Sequence, residues 1–85
     1  MVNFRNIENL YFLGIGGIGM SALARYYAGG KYKVYGYDST RTQLTQELEQ
    51  EGAQVVYHEE AGLSLLQSLG KTNTLVVFTP AVAKS

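Results

Sequence analysis

Three glycines, Gly14, Gly16 and Gly19, are the residues whose spacing most directly suggests chemistry. They follow a short apolar run and precede a run of good helix formers. In a G-x-G-x-x-G loop the first glycine permits a sharp turn, the second lets a diphosphate approach the backbone, and the third lets the helix pack close to the strand. Free amides at the helix start then attract an anion. The pattern predicts a diphosphate cradle; the alternative is a turn that serves only strand–helix packing.

An acidic residue, Asp38, lies about twenty residues beyond the loop. Nucleotide-binding folds have at this distance an Asp or Glu that hydrogen-bonds the ribose. Asp38 ends a second apolar segment. Its carboxylate is predicted to accept a hydrogen bond from a ribose hydroxyl or a base N–H. The alternative is an aspartate that caps the turn "DSTR". The glycines and Asp38 together indicate a nucleotide with a diphosphate and leave its identity open.

The single histidine, His58, follows a third apolar segment and precedes Glu59 and Glu60. A solvated loop histidine is the ordinary outcome at such a position, and the alternative is a residue that closes a ligand pocket. One histidine and two glutamates, with no further ligands nearby, do not predict a metal site.

The elements that must position these residues follow from the apolar pattern. An apolar run without polar alternation indicates a strand buried on both faces, as in a parallel sheet. The predicted strands are Leu10–Ile15, Tyr32–Asp38, Ala53–His58 and Thr74–Thr79. Helices are predicted over Ile18–Ala28, from near Thr42 to Gly52, and around Leu63–Leu69. This alternation predicts an α/β, Rossmann-like three-layer fold with a parallel sheet in the order 3-2-1-4.

Two local expectations concern the helices. In the first helix, Ile18, Leu23, Tyr26 and Tyr27 have a spacing that predicts the core-facing side. In front of the second helix, Thr40 and Gln43 have the spacing of a capping box.

The composition limits the function classes. The chain has 85 residues, a formal net charge of zero and no cysteine. There is no basic excess to hold nucleic acid or an anionic membrane surface. No apolar stretch approaches the ~20 residues of a membrane helix, and the first residues lack the apolar core of a signal peptide. We therefore expect one cytoplasmic domain over residues 1–85, truncated soon after the fourth strand.

The string "GIGGIGMS" (14–21) is more specific than the bare glycine pattern. With "VYGYDST", "LTQELEQEGAQVVYH" and "TLVVFTPAV", it resembles the N-terminal domain of the Mur ligase family from about Leu10 to Val82. The resemblance implies a domain that holds the UDP part of UDP-N-acetylmuramic acid. It also implies a longer ATP-dependent ligase that adds L-alanine in peptidoglycan biosynthesis.

The same resemblance implies that the ATP and Mg²⁺ sites lie in a central domain of the same polypeptide, which this chain lacks. No G-x-x-x-x-G-K-[ST] motif occurs in the 85 residues. The chain alone is therefore expected to be inactive, with no catalytic residue, cofactor or metal of its own.

The resemblance further implies a set of UDP-sugar contacts at the loop and the strand ends, with His58 a weaker candidate. They are Gly14, Gly16, Gly17, Ile18, Gly19, Ser21, Asp38, Ser39, Thr40, Thr79 and Ala81. Two other functions stay open. One is an NAD(P)-binding regulatory or oxidoreductase domain, with Arg41 near a 2′-phosphate. The other is the related ligase that attaches a recycled tripeptide to the same UDP sugar.

Overall fold

The computed structural model describes residues 6–79 of the chain. Strands and helices alternate along it as the sequence predicts. The elements are β1 (Asn9–Leu13), α1 (Ile18–Ala28), β2 (Lys33–Tyr37), α2 (Gln43–Gln50), β3 (Gln54–Val56), α3 (Glu59–Ser68) and β4 (Thr74–Val77).

The four strands form one sheet in the order β3-β2-β1-β4. All pairs are parallel, and β1 lies between β2 and β4, so that Asn9 is opposite both Lys33 and Thr74. The predicted α/β fold and strand order are confirmed. Because the strands are parallel, the glycine loop after β1 and Asp38 after β2 meet at the same edge of the sheet.

Helices cover both faces of the sheet. On one face, Leu10 and Phe12 of β1 are buried with Ala24 of α1 and Leu48 of α2. On the other face, the Tyr11 hydroxyl donates to the Gly62 carbonyl oxygen in α3 at 2.9 Å. Burial raises the pKa of Tyr11 above its ordinary value. The alternation of side chains along β1 therefore produces the predicted three layers.

Most element boundaries differ by a few residues from the prediction, and two of the differences have a clear local cause. β1 ends at Leu13, although Ile15 is fully buried. The reason is Gly14, whose φ of 77° turns the chain out of the strand direction. At α3 the helix begins at Glu59, before the predicted leucine repeat. Acidic residues in a first turn interact favourably with the helix dipole, which the apolar pattern does not register.

The predicted core face of α1 is wrong at most of its positions. Ile18 is 86% exposed and Tyr26 is 77% exposed. The buried residues of this helix are Met20, Ser21 and Ala24. Ser21 and Ala24 are small, which lets the helix axis come close to the sheet; Met20 is buried with them, whereas Ile18 and Tyr26 are left outside.

The predicted capping box is also wrong. The N-cap of α2 is Thr42, and its partner is Thr45. The Thr42 hydroxyl accepts from the Thr45 amide at 3.2 Å, and the Thr45 hydroxyl accepts from the Thr42 amide at 2.8 Å. The Thr40 amide donates to Asp38, so it is not available to the Gln43 side chain, and that pair cannot close a capping box. A threonine hydroxyl thus takes the place that Glu or Gln usually has in this motif.

Candidate functional site

The glycine loop is anchored to the end of β2 through its backbone. The amides of Gly14 and Ile15 donate to the Tyr37 carbonyl oxygen at 2.8 and 3.1 Å, and the Gly17 amide donates to the Gly14 carbonyl at 3.0 Å. Gly14 has a left-handed φ of 77°, which only glycine adopts without strain. The sharp turn expected of the first glycine is confirmed.

The N-terminus of α1 lies open at this edge. Its N-cap is Gly17, which has no side chain to accept from the helix amides, and no acidic residue stands in the first turn. The first helical bond runs from the Ser21 amide to the Gly17 carbonyl at 2.7 Å. Within residues 6–79, the amides of Ile18, Gly19 and Met20 therefore have no acceptor. Three unpaired N–H groups and the positive end of the helix dipole suit an anion.

The middle glycine has a different neighbour from the expected one. The Gly16 amide donates to Oδ2 of Asp38 at 2.8 Å. A Cβ at Gly16 would lie 2.9 Å from that oxygen and 2.9 Å from Cγ2 of Thr45. The missing side chain therefore makes room for Asp38 and Thr45.

The third glycine does not have the packing role that the motif predicts. A Cβ at Gly19 would meet nothing within 4 Å among the described residues. Gly19 is exposed, in the first turn of α1. Open space thus lies beside the unpaired amides, on the side a ligand would approach.

Asp38 holds the two loops of this edge together. Its Oδ2 accepts from Gly16 and its Oδ1 accepts from the Thr40 amide at 3.0 Å. The turn-capping interpretation of Asp38 is confirmed. Each carboxylate oxygen has two lone pairs. Asp38 therefore keeps acceptor capacity for a ribose hydroxyl, and that contact stays a prediction.

The other predicted contacts divide between the edge and the interior. Ser39 and Thr40 are exposed beside Asp38, and Ile18 is exposed beside the open amides. Ser21 is buried, and its hydroxyl donates to the Ile18 carbonyl at 3.1 Å. In this structure the Ser21 hydroxyl thus stabilises the first turn of α1.

The outer strand ends contribute less. His58 is exposed and is the N-cap of α3, but its side chain makes no capping bond. Thr79 is exposed beyond β4, and Ala81 lies outside the described residues. Among residues 6–79, no group of His, Cys, Asp and Glu side chains could hold a metal ion.

Sequence reasoning missed one residue of the site, Thr45. It is fully buried on α2, and its methyl group lies against Gly16. The signal that could have found it is the Thr42-x-x-Thr45 spacing, since a second hydroxyl can close a capping box.

Arg41 points towards α2 and β3. Its guanidinium lies 3.5 Å from Oε1 of Glu49 and 5.7 Å from the centre of the Tyr57 ring. Burial and a hydrogen bond to Glu49 raise the pKa of Tyr57. The cation that a 2′-phosphate would need is thus already paired with a carboxylate.

A family model described as "Mur ligase family, catalytic domain" matches residues 9–85. The chain belongs to the Mur ligase family. It is 52% identical over 85 residues to the UDP-N-acetylmuramate–L-alanine ligase of Flavobacterium johnsoniae, covering 99% of this chain and 18% of that protein. The proteins of the same name from Christiangramia forsetii and Parabacteroides distasonis are 45% and 43% identical, over 99% of this chain and 19% and 18% of their own lengths.

This Mur ligase chain thus spans less than one fifth of the length of the relatives it matches. In the part of the chain that the structure describes, no helix is long and apolar enough to cross a membrane.

Proposed function

We propose that residues 1–85 are the N-terminal substrate-binding domain of a longer Mur ligase and hold the UDP moiety of UDP-N-acetylmuramate. The observation that carries this proposal is the open N-terminus of α1, where three amides have no acceptor among the described residues. A diphosphate supplies several acceptor oxygens and a negative charge at one point. A chain with no net charge can bind it there through backbone groups alone.

The nucleoside end of the ligand is assigned to the neighbouring loop. Asp38, Ser39 and Thr40 lie beside the glycine loop because β2 pairs directly with β1. In this proposal the Asp38 carboxylate accepts from the ribose, and the exposed residues beside it line the uridine. Thr79, beyond β4, is assigned to the other side of the diphosphate, and Ala81 stays a prediction from the resemblance. His58 has a weaker claim because it lies beyond the outer strand β3.

The whole protein would join L-alanine to the sugar's lactyl carboxylate in the cytoplasm. ATP, with Mg²⁺, would activate that carboxylate in a central domain of the same polypeptide. The residues of this chain would not take part in bond formation. Their contribution is to orient the substrate, which reduces the entropic part of the barrier. The names of the relatives favour L-alanine over a recycled tripeptide as the group that is added.

An NAD(P)-binding domain is the competing function, because the G-x-G-x-x-G loop and Asp38 also suit a dinucleotide. The membership of the chain in the Mur ligase family counts against it. The pairing of Arg41 with Glu49 counts against NADP alone, because NAD has no 2′-phosphate for a cation to hold.

The direct test is a titration of the chain with UDP-N-acetylmuramate, followed by amide chemical shifts. We expect the largest shifts at Ile18, Gly19 and Met20, and further shifts at Asp38, Ser39 and Thr40. Uridine is the matched control because it lacks the diphosphate; it should shift the second group alone. Larger shifts with NAD than with the UDP sugar would reverse the assignment, and no shift at millimolar UDP sugar would refute it.

A second test uses the full enzyme. Residues 1–85 replace the matching segment of the Flavobacterium johnsoniae ligase, with which they share 52% identity. We expect this chimera to keep the L-alanine ligase activity with a KM for UDP-N-acetylmuramate close to that of the parent. A folded chimera that has lost saturable UDP-sugar binding would contradict the proposal.

A further inference from the structure

We propose that Thr45 is a positioning residue for the diphosphate site: its buried methyl group fixes the Gly16 peptide and thereby the direction of the open amides of α1. The inference rests on the proposed function for the identity of the ligand. Thr45 itself is fully buried, so it cannot touch a ligand. It must act through the loop.

The orientation of the Thr45 side chain is fixed by its hydroxyl. That hydroxyl accepts from the Thr42 amide at 2.8 Å and donates to the Thr42 carbonyl at 2.9 Å. Both bonds are to backbone, so they hold whatever side chain stands at position 42. A β-branched side chain has few χ1 choices in a helix. With the hydroxyl held, the methyl group has one place to point.

That place is the glycine loop. Cγ2 of Thr45 lies 2.9 Å from the position that a Cβ of Gly16 would occupy, so the methyl group lies directly against the loop backbone. On the same side, the Gly16 amide donates to Asp38 at 2.8 Å. The methyl group and the carboxylate therefore contact the Gly16 peptide from one side and together limit how far it can move towards α2.

These contacts close a ring. Gly16 bonds Asp38, Asp38 bonds the Thr40 amide, and the chain then runs two residues to Thr42, which Thr45 caps. Thr45 returns to Gly16 through its methyl group. The ring joins the loop proposed for the diphosphate to the loop proposed for the nucleoside. A shift of the Gly16 peptide therefore tilts the first turn of α1 relative to Asp38.

Two substitutions separate the methyl group from the hydroxyl. Thr45→Ser keeps the hydroxyl and its two bonds and removes the methyl group. Thr45→Val keeps the shape of the side chain and removes the two bonds of the hydroxyl to the backbone of residue 42, while the Thr45 amide can still donate to the Thr42 hydroxyl. In the 85-residue chain, three quantities are measured for each variant: the unfolding temperature, the amide exchange rates of Gly16 and Gly17, and the Kd for UDP-N-acetylmuramate. The same substitutions in the chimeric ligase give the KM for UDP-N-acetylmuramate.

We expect the variant that loses more stability to be the one that loses less affinity for the UDP sugar. Thr45→Val should lower the unfolding temperature more, because it removes one half of the capping box and leaves the Thr42 amide without its acceptor. Thr45→Ser should accelerate amide exchange at Gly16 and weaken UDP-sugar binding about fivefold or more, since small displacements of binding groups are costly. If Kd and exchange at Gly16 follow the unfolding temperature in both variants, Thr45 is merely structural and the inference is wrong.

The failure of the proposed function would look different. If the wild-type chain and the chimera do not bind UDP-N-acetylmuramate, the ligand assignment is refuted. The exchange rates of the Gly16 and Gly17 amides in the free chain still decide whether the Thr45 methyl group holds the loop.

Discussion

The N-termini of α1 and α2 lie at the same edge of one sheet and are built in opposite ways. At α2, the side chains of Thr42 and Thr45 form a reciprocal capping box. At α1, the N-cap is Gly17, and three amides stay open within the described residues. A side-chain cap contributes to stability; a glycine N-cap forgoes a few tenths of a kcal/mol of it and keeps its donors available. The comparison shows that the fold leaves free amide donors where it omits a capping side chain, which is where we propose that the diphosphate binds.

The largest expected effect comes from filling the gap at Gly16. In Gly16→Ala the new Cβ meets both Asp38 and Thr45, so one of them must move. We expect a loss of about 1–3 kcal/mol in the free energy of unfolding, typical of overpacking, and loss of UDP-sugar binding. Urea unfolding and the amide titration measure the two effects.

Gly19→Ala is the matched control, because the same chemical change there meets nothing within 4 Å. In the first turn of α1 it should raise the free energy of unfolding by about 0.5–1 kcal/mol, the usual gain from glycine to alanine in a helix. Similar losses of stability in both variants would show that the two glycines are equivalent, contrary to the structure.

The next largest effect is expected from removing the side-chain cap that α2 has and α1 lacks. Thr42→Ala should cost about 1 kcal/mol in the free energy of unfolding, as N-cap losses usually do. The Kd for UDP-N-acetylmuramate should stay unchanged, because the Thr45 hydroxyl still bonds the backbone of residue 42. A fall in affinity as large as that in Thr45→Ser would mean that the Thr42 side chain itself supports the loop.

A smaller effect is expected when α1 is given a side-chain N-cap like that of α2. Gly17 has φ −65° and ψ 154°, the extended conformation of an N-cap residue, so serine fits there. Gly17→Ser should raise the free energy of unfolding by a few tenths of a kcal/mol, since glycine is only slightly poorer than serine at an N-cap. Its hydroxyl should compete with the diphosphate for the open amides and weaken binding several-fold.

Gly17→Ala is the control that separates two effects of the serine: crowding by the added Cβ, and competition of its hydroxyl with the diphosphate for the open amides. It adds the same Cβ, 3.4 Å from the Gly14 carbonyl oxygen, but no hydroxyl. We expect its Kd to stay near the wild-type value. Equal weakening by alanine and serine would indicate that the site lacks room at Gly17, and that capping is irrelevant to binding.

The smallest effect concerns the far ends of the two helices. Arg25 of α1 pairs with Glu47 and Glu51 at 2.9 Å each, and these hydrogen bonds raise the pKa of Arg25. The pairs are exposed, so salt screens them. Arg25→Gln should lower the unfolding temperature slightly at low ionic strength and leave it unchanged at high salt. A salt-independent loss would mean that packing of the Arg25 stem matters more than its charge.

The sequence predicts the sheet well because each strand is a dense apolar run between clear breaks. The order 3-2-1-4 then follows from general rules of handedness and crossover. The core face of α1 could not be predicted in the same way. Exposed Ile18 and Tyr26 are more hydrophobic than buried Ser21, and only the closeness of the helix to the sheet reverses their places.

At the candidate site, too, some features could be predicted from the sequence and others could not. The motif identifies Gly14 as a turn and places the N-terminus of α1 at the edge of the sheet, because these are properties of the local backbone. It does not show that Asp38 and Thr45 both contact Gly16, since those contacts join residues 22 and 29 positions apart and exist only after α2 packs. Single residues at the edge could be predicted from the sequence; the ring that connects them could not.

The pairing of β1 with β4 also has a consequence for the time course of folding. Asn9 and Thr74 are opposite each other, and their side chains are hydrogen bonded across 65 positions of sequence. Contacts this distant in sequence slow folding, because the loop must close before they contribute. During synthesis, the central strand therefore keeps one edge without its native partner until β4 has left the ribosome. Until then β1 would present an apolar strand edge that can pair with other chains, and release of the fourth strand is the event that protects it.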